Sequence, residues 1–269
     1  MSRPRSRASP PMRAEEVPIP GGRLDAVLVK VGLARSRSQA AELIHSGKVS
    51  LDGRVVNRGS HRCKPGAVME VETDPWVSRA AHKLIGALDQ SGIKVGSRAL
   101  DAGASTGGFT QVLLSRGADR VYAVDVGHAQ LAQVVREDPR VVVREGLNLR
   151  DLTLEMLEDE AVDMVVADVS FISLRILLAP MLAVLVPEGV ALLMVKPQFE
   201  VGRQRLDAQG VVRDPADRAD AVAGVLTEAR RLGWEPFWQA DSTLPGPSGN
   251  VEHFVGLRRD QMWAPQTSK

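Results

Sequence analysis

The sequence predicts an α/β protein in which a small α+β domain precedes a doubly wound, mostly parallel sheet. In the later part of the chain, nearly continuous apolar strands alternate with amphipathic helices, as in a buried parallel sheet covered on both faces. The early part instead shows two short helices, then a hairpin and further short strands. A length of 269 residues accommodates both domains.

The small domain is predicted at residues 22–72. Apolar spacing indicates two helices within residues 23–47, and Ser36 or Ser38 is placed to cap the second one. An Asp52-Gly53 turn then predicts a β-hairpin.

Charge is unevenly distributed along the chain. The whole chain has a net charge of +1, but residues 1–70 hold 13 of the 34 Lys and Arg residues and only 6 of the 33 Asp and Glu residues. A basic part joined to an acidic part favours a polyanion as partner of the first domain, and a solvated basic face is the alternative. The predicted RNA-binding residues are Arg23, Lys30, Arg35, Arg37, Lys48, Arg54 and Arg58.

A polar, Pro-containing linker is predicted at residues 73–77, before a large domain at residues 78–260. A disordered basic tail at residues 1–21 and a short tail at residues 261–269 flank the two domains. The predicted strands of the large domain are GSRALDAG, RVYAVDVG, RVVVREG, VDMVVADVS, VALLMVKP, EPFWQADS and VEHFVGL. No long helix separates the last two strands, so these are expected to pair antiparallel.

Several classes of protein are disfavoured by composition. A single cysteine, Cys63, excludes an intramolecular disulfide and a Cys-rich zinc site, and favours a reducing compartment such as the cytoplasm. The five histidines show no metal-ligand spacing, so no metal is expected. The Arg-, Ser- and Pro-rich N-terminus lacks an apolar core, so it predicts no secretory signal. The longest apolar run, at residues 176–186, predicts a buried helix because it is too short to span a bilayer.

A glycine-rich turn follows the first strand of the large domain and opens a helix. Glycines at such a turn let the backbone approach a ligand, although a tight strand-to-helix turn alone explains them equally simply. Asp125 ends the second strand, where an acidic side chain binds ribose hydroxyls, and a helix N-cap is its alternative. This spacing fits a dinucleotide as well as S-adenosylmethionine, but Asp101 at the strand end is more typical of a methyltransferase. The residues assigned to cofactor binding are Asp101, Gly103, Ser105, Thr106, Gly107, Gly108, Asp125, Val126, Asn148 and Asp168.

Four charged residues are predicted to meet at one edge of the sheet. Asp168 and Lys196 each end an apolar strand, and Glu252 begins the last strand. Lys83 lies one position off the apolar stripe of the first helix of the large domain, where a surface lysine is the simpler interpretation. Together, these four side chains could surround a hydroxyl nucleophile without a metal.

Both domains resemble known families. The segment RLDAVLVKVGLARSRSQAAELIHSGKVSLDGRVV is similar to the RNA-binding fold named after ribosomal protein S-four, and the Lys-Asp-Lys-Glu set resembles the tetrad of FtsJ-type ribose 2′-O-methyltransferases. The whole layout looks like the TlyA family of rRNA methyltransferases, formerly called haemolysins. Its motifs here are WVSRAAHKL, LDAGASTGGFT, VYAVDVGHAQL, VVADVSFISL, VKPQFEVGR, GVVRDP and PGPSGNVEHF. One departure is Ala80-Ala81, where the family usually has two glycines.

The resemblance implies a Rossmann-like methyltransferase sheet and a cytoplasmic enzyme that uses S-adenosylmethionine. Its implied substrate is the ribose 2′-hydroxyl of cytidines in the rRNA of the small and large ribosomal subunits. Lys196 is then expected nearest the hydroxyl, either as a neutral amine that takes the proton or as a cation that stabilises the developing alkoxide, with Asp168 and Glu252 orienting Lys196 and Lys83. Alternatives are a non-catalytic RNA-binding assembly factor and, less favoured, a membrane-active haemolysin. The target nucleotide and the oligomeric state stay open.

Overall fold

The computed structural model of the chain describes residues 19–34, 36–71 and 74–260. The chain forms two compact units that divide between Pro75 and Trp76, within the predicted linker. The C-terminal tail, most of the N-terminal tail, Arg35, Glu72 and Thr73 lie outside the described residues. Ile19, which the sequence assigned to the tail, is buried in the core of the first unit.

The first unit is a small α+β fold. Ser36 caps its second helix by accepting a hydrogen bond from the backbone N–H of Gln39 at 3.2 Å, and the Asp52-Gly53 turn has positive φ at both residues. Strand β2 is central in an antiparallel sheet of order β3-β2-β5, and β1 pairs with β4. The elements are β1 (Gly22–Arg23), α1 (Leu24–Lys30), α2 (Arg37–His45), β2 (Val49–Leu51), β3 (Arg54–Val55), β4 (Arg62–Cys63) and β5 (Met69–Val71).

The second unit alternates helices and strands, as predicted. Its elements are α3 (Ala80–Ser91), β6 (Arg98–Ala102), α4 (Gly108–Ser115), β7 (Arg120–Asp125), α5 (Gln133–Arg136), β8 (Val141–Glu145), β9 (Val162–Ala167), α6 (Leu174–Ala183), β10 (Leu185–Val195), α7 (Pro197–Glu200), α8 (Pro215–Arg231), β11 (Trp234–Asp241) and β12 (His253–Arg259). Short 3-10 helices lie at Leu149–Asp151, Leu154–Leu157 and Arg203–Arg205.

The seven strands form one sheet of order β11-β12-β10-β9-β6-β7-β8. All neighbouring pairs are parallel except the two that involve β12, which runs antiparallel to both β10 and β11. Helices α6 and α8 cover one face and α3 and α4 the other, and each face has its own apolar core. The doubly wound α/β fold and the antiparallel pairing of the last two strands are therefore confirmed.

Two predicted helices are shorter in the structure. After β7 the sequence predicts a helix from Ala129, but the structure has a single turn that begins at Gln133, and Ala129 itself has a positive φ of 54°, which a right-handed helix does not contain. The apolar run at residues 176–186 is helical only to Ala183, since Leu185 pairs with Val162 as the start of β10. No described helix is long and apolar enough to cross a membrane.

Candidate active site

The loops that follow β6 and β9 meet where the strand order of the sheet reverses. The chain adds β7 and β8 on one side of β6 and then places β9 on the other side. The backbone N–H of Asp168 donates to the carbonyl oxygen of Ala102 at 3.1 Å, which brings the two loops together. In doubly wound sheets, ligands bind at this switch point, outside the carboxyl ends of the strands.

The glycines of the turn after β6 have two different roles. Gly103 has a φ of +85°, and a β-carbon there would lie 3.1 Å from the carbonyl oxygen of Asp168, so only glycine lets these loops close together. At Gly107 a β-carbon would lie 2.8 Å from Leu131, and Gly108 packs against α3. These two glycines, which were predicted to contact a cofactor, make room for the protein itself.

Asp125 fixes the shape of this turn from the end of β7. Its carboxylate accepts hydrogen bonds from the backbone N–H of Ser105 at 2.8 Å and of Gly127 at 2.7 Å. It does not cap a helix, because α5 begins only at Gln133. Next to it, the exposed side chain of Val126 adds an apolar surface to the end of β7.

Asn148 and its neighbours lie beside the end of β7. The backbone N–H of Leu147 donates to the carbonyl oxygen of Asp125 at 3.1 Å. The side-chain oxygen of Asn148 accepts from the backbone N–H of Arg150 at 3.1 Å, so it caps a short 3-10 helix. Thr106, in the turn after β6, is exposed.

Asp101 is a fully buried carboxylic acid at the centre of the site. The Thr110 hydroxyl donates to one of its oxygens at 2.6 Å, whereas its other oxygen has no hydrogen-bond partner among the described residues. Burial raises the pKa of Asp101 to about 7, the hydrogen bond from Thr110 opposes this rise, and the carboxylates of Asp168 and Asp125 add to it. Asp101 therefore changes its charge near neutral pH.

Lys83 and Glu252 form a buried ion pair. Lys83 is 4% exposed and Glu252 is 1% exposed, and the Lys83 ammonium donates to the Glu252 carboxylate. The simpler interpretation of Lys83 as a surface lysine is therefore wrong. Two buried charges are tolerated here because each has its partner, and removing either one would leave an uncompensated charge.

Lys196 and Asp168 form a second ion pair, closer to solvent. The Lys196 Nζ lies 2.6 Å from Asp168 Oδ1 and donates to the Ser170 hydroxyl at 2.7 Å. The Lys196 side chain is 10% exposed, twice the exposed fraction of the Lys83 side chain.

The sheet brings the two ion pairs to one edge. Asp168 follows β9, Lys196 follows β10 and Glu252 precedes β12, and these are three neighbouring strands. Because β12 is antiparallel, its start lies beside the end of β10, as the pairing of His253 with Val195 shows. A strand spacing of about 4.8 Å sets the pairs side by side, next to the loop at Gly103. Such a cluster can hold a hydroxyl and stabilise charge that develops on it.

Two residues of this edge were not singled out from the sequence. Ser170 binds the Lys196 nitrogen, and Phe171 is 91% exposed at a positive φ of 64°, with its ring centroid 5.3 Å from that of Phe199. The sequence signal for Phe171 is an aromatic residue shortly after the end of a strand, in the segment SFIS, because a loop at that point is not expected to place a ring in the core. An exposed aromatic ring beside Lys196 can stack on a nucleobase.

The predicted RNA-binding residues of the first unit are mostly exposed. Arg23, Lys30, Arg37, Arg54 and Arg58 are exposed, Lys48 is half-buried, and Arg35 lies outside the described residues. Arg23 and Arg37 both pair with Asp25, at 3.1 and 2.8 Å, and their hydrogen bonds lower the pKa of Asp25. The Asp25 carboxylate therefore offsets part of the positive charge of these two arginines. The sequence analysis also missed the exposed Arg62 and Lys64.

Family models match both units. The model of the FtsJ-like methyltransferase family matches residues 76–259, and that of the S4 domain matches residues 22–68.

Similar proteins cover most of the chain. The 16S/23S rRNA (cytidine-2'-O)-methyltransferase TlyA of Mycobacterium tuberculosis is 52% identical over 240 residues, which are 88% of this chain and 89% of that protein. Hemolysin A of Brachyspira hyodysenteriae is 37% identical over 87% of this chain and 99% of its own length. A solved structure from Streptococcus thermophilus that carries a hemolysin name is 33% identical, covers 90% of each chain and has a TM-score of 0.70.

Proposed function

The chain belongs to the TlyA family of FtsJ-like methyltransferases with an N-terminal S4 domain, and we propose that it methylates the ribose 2′-hydroxyl of cytidines in ribosomal RNA. The observation that carries this proposal is the pairing of Lys196 with Asp168 at the switch point of the sheet, beside the loop at Gly103. A hydroxyl that enters there meets a positive charge and the cofactor-binding turn together. Because ribosomes are the substrate, the enzyme acts in the cytoplasm.

The residues of the turn fit S-adenosylmethionine. Gly103 lets the loops after β6 and β9 close together at the switch point, Asp125 offers a carboxylate at the ribose position, and the unpartnered oxygen of Asp101 can accept a hydrogen bond. When bound, this cofactor supplies a methyl group already activated by a positively charged sulfur. The protein therefore has to place the hydroxyl in line, accept the proton that the hydroxyl loses, and stabilise the negative charge that develops on its oxygen.

Each member of the tetrad has its own part in this reaction. Lys196 faces the hydroxyl and stabilises the negative charge that develops on its oxygen, while Asp168 and Ser170 hold the lysine nitrogen in place. Lys83 and Glu252 form the buried support beside them. The exposed ring of Phe171 offers a stacking surface for the base of the target nucleotide.

A direct test is transfer of labelled methyl groups from S-adenosylmethionine to unmodified ribosomal subunits. Label that survives alkaline hydrolysis in a dinucleotide identifies a 2′-O-methyl group, and mapping the position identifies the base. RNA binding without any transfer to either subunit or to free rRNA would favour the non-catalytic assembly factor. Leakage of liposomes would favour the haemolysin alternative.

Gly246→Ala is expected to lower kcat by displacing Glu252. A β-carbon at Gly246 would lie 2.7 Å from the Glu252 carboxylate oxygen, too close for a carbon atom, and Glu252 is buried against Lys83. Since displacing a supporting group by a fraction of an ångström disturbs alignment, we expect a loss of about 10- to 100-fold in single-turnover methyl transfer. The exposed Ser248 of the same loop is the control, and Ser248→Ala should retain full activity. Equal rates for both variants would contradict the role of Glu252.

Replacing both Arg54 and Arg58 by alanine is expected to weaken RNA binding and to reduce the dependence of this binding on salt. Each phosphate contact that is lost reduces the slope of log affinity against log salt by about 1. We would measure binding of the full chain to unmodified ribosomal subunits at several salt concentrations. Arg116→Ala, which removes an exposed arginine of the second unit, should leave the slope unchanged. A slope that stays constant in the double variant would remove these arginines from the RNA contact.

A further inference from the structure

Glu200 is a buried carboxylate outside the predicted tetrad. Its side chain is only 2% exposed although it lies at the end of the short helix α7. One oxygen accepts a hydrogen bond from the Ser173 hydroxyl at 2.7 Å and lies 3.2 Å from Arg175 Nε, and the other accepts from the backbone N–H of Leu174 at 2.6 Å. A carboxylate with this many donors is held in one position.

These donors belong to the start of helix α6. Ser173 occupies the N-cap position, but its side chain makes no capping hydrogen bond. Glu200, which lies on α7, caps α6 instead, because its carboxylate accepts a hydrogen bond from the backbone N–H of Leu174 in the first turn. The positive end of the helix dipole and the guanidinium of Arg175 compensate the buried negative charge.

The capping contact ties together the two segments that hold Lys196. Residues 168–173 connect β9 to α6 and carry both partners of the lysine nitrogen, Asp168 and Ser170. Residues 196–200 begin with Lys196 and end with Glu200. The two segments are therefore joined at the lysine and again at the glutamate, and the ring contact of Phe171 with Phe199 lies between these points.

We propose that Glu200 is a positioning residue for methyl transfer, which acts through the segment at residues 168–173 and not on the substrate. It anchors the far end of this segment, so that Ser170 stays within hydrogen-bond distance of the Lys196 nitrogen. This inference rests on the proposed function. Without the anchor, the segment is still held at its β9 end and by the ring contact, but its α6 end is no longer held against α7, and the lysine nitrogen loses a defined position relative to the hydroxyl.

The test is Glu200→Gln in the full chain, which keeps the shape of the side chain but removes its charge and one acceptor. We expect kcat for methyl transfer to fall by about 10- to 100-fold, while the affinities for S-adenosylmethionine and for ribosomal subunits stay unchanged. The matched control is Asp214→Ala, which removes another N-cap: Asp214 accepts a hydrogen bond from the backbone N–H of Ala216 at 2.8 Å at the start of α8. Both variants lose a helix cap, but only Glu200→Gln should lower kcat.

A double-variant cycle with Ser170→Ala separates positioning from a general loss of stability. If Glu200 acts through Ser170, Glu200→Gln lowers kcat strongly in the wild-type background and only weakly in the Ser170→Ala background. An equal loss in both backgrounds, or no loss at all, overturns the proposal. If Glu200→Gln does not fold, Ser173→Ala replaces it in the same cycle, because it removes one of the donors to the same carboxylate. Wild-type protein that transfers no methyl group refutes the proposed function instead.

Discussion

Replacing Lys196 by alanine is expected to lower kcat for methyl transfer by about 10²- to 10⁴-fold. The Lys196 nitrogen contacts Asp168 and Ser170, and the Lys196 side chain is the more exposed of the two lysine side chains of the tetrad, at 10% against 5%. Its removal takes away the positive charge at the hydroxyl and leaves the Asp168 carboxylate without its partner. Binding of S-adenosylmethionine should persist, because the loop at Gly103 and the carboxylate of Asp125 are unaffected.

Single-turnover rates and cofactor affinity would be measured side by side for this variant. Lys94→Ala provides the control, since Lys94 is an exposed lysine in the loop after α3. We also expect Lys196→Arg to remain impaired, because a planar guanidinium does not reproduce the compact position of an ammonium. A Lys196→Ala protein with wild-type turnover would exclude Lys196 from the reaction.

Replacing Asp101 by asparagine is expected to stabilise the fold at pH 8 by about 2 kcal/mol. In the folded chain, burial raises the pKa of Asp101 from 3.8 to about 7, so at pH 8 the fold contains a buried charge with one unpartnered oxygen. A pKa rise of this size corresponds to a free-energy cost of at most about 4 kcal/mol for the buried charge. The amide group of asparagine also lacks a full set of hydrogen-bond partners, so the variant keeps part of that cost.

The sign of the pH dependence follows from the raised pKa of Asp101. The folded state binds this proton more tightly than the unfolded state, so the contribution of Asp101 to stability is fully present below about pH 4 and is lost as the pH rises through about 7. The advantage of Asp101→Asn should therefore shrink as the pH falls from 8 toward 4. Urea unfolding across this range measures it, with the exposed Asp119→Asn as control. An advantage that does not depend on pH would contradict this assignment.

The same substitution tests the link between stability and function at this position. If the unpartnered oxygen of Asp101 serves the cofactor, Asp101→Asn binds S-adenosylmethionine more weakly while it unfolds less readily. Higher stability combined with weaker cofactor binding is the expected result of replacing a residue that is kept for function.

Much of the sheet edge could be predicted because it depends on local patterns. Apolar strands that end in Asp168 and Lys196 define both strand and direction, and parallel strands bring their ends to one edge. Lys83 could not be placed this way. Its partner Glu252 is 169 residues away in sequence, and local spacing contains no information about a contact of that range.

Other features escaped prediction for the same reason. The cap of α6 comes from Glu200, on a different helix, so the segment around Ser173 shows only an ordinary N-cap residue. Gly107 and Gly108 belong to a motif that resembles a ligand-binding turn, yet their spacing does not reveal that protein side chains fill the space beside them. What a glycine leaves room for depends on tertiary packing.

The antiparallel strand β12 has a consequence for biosynthesis. It is the last described strand in the sequence, yet it lies inside the sheet between β10 and β11, and β11 pairs with no other strand of the described residues. In a nascent chain that does not yet include Glu252 and β12, the facing edges of β10 and β11 have no strand to pair with. The active centre is therefore completed only after β12 has been synthesised and has entered the sheet, so Lys83 has no buried partner in any shorter nascent chain.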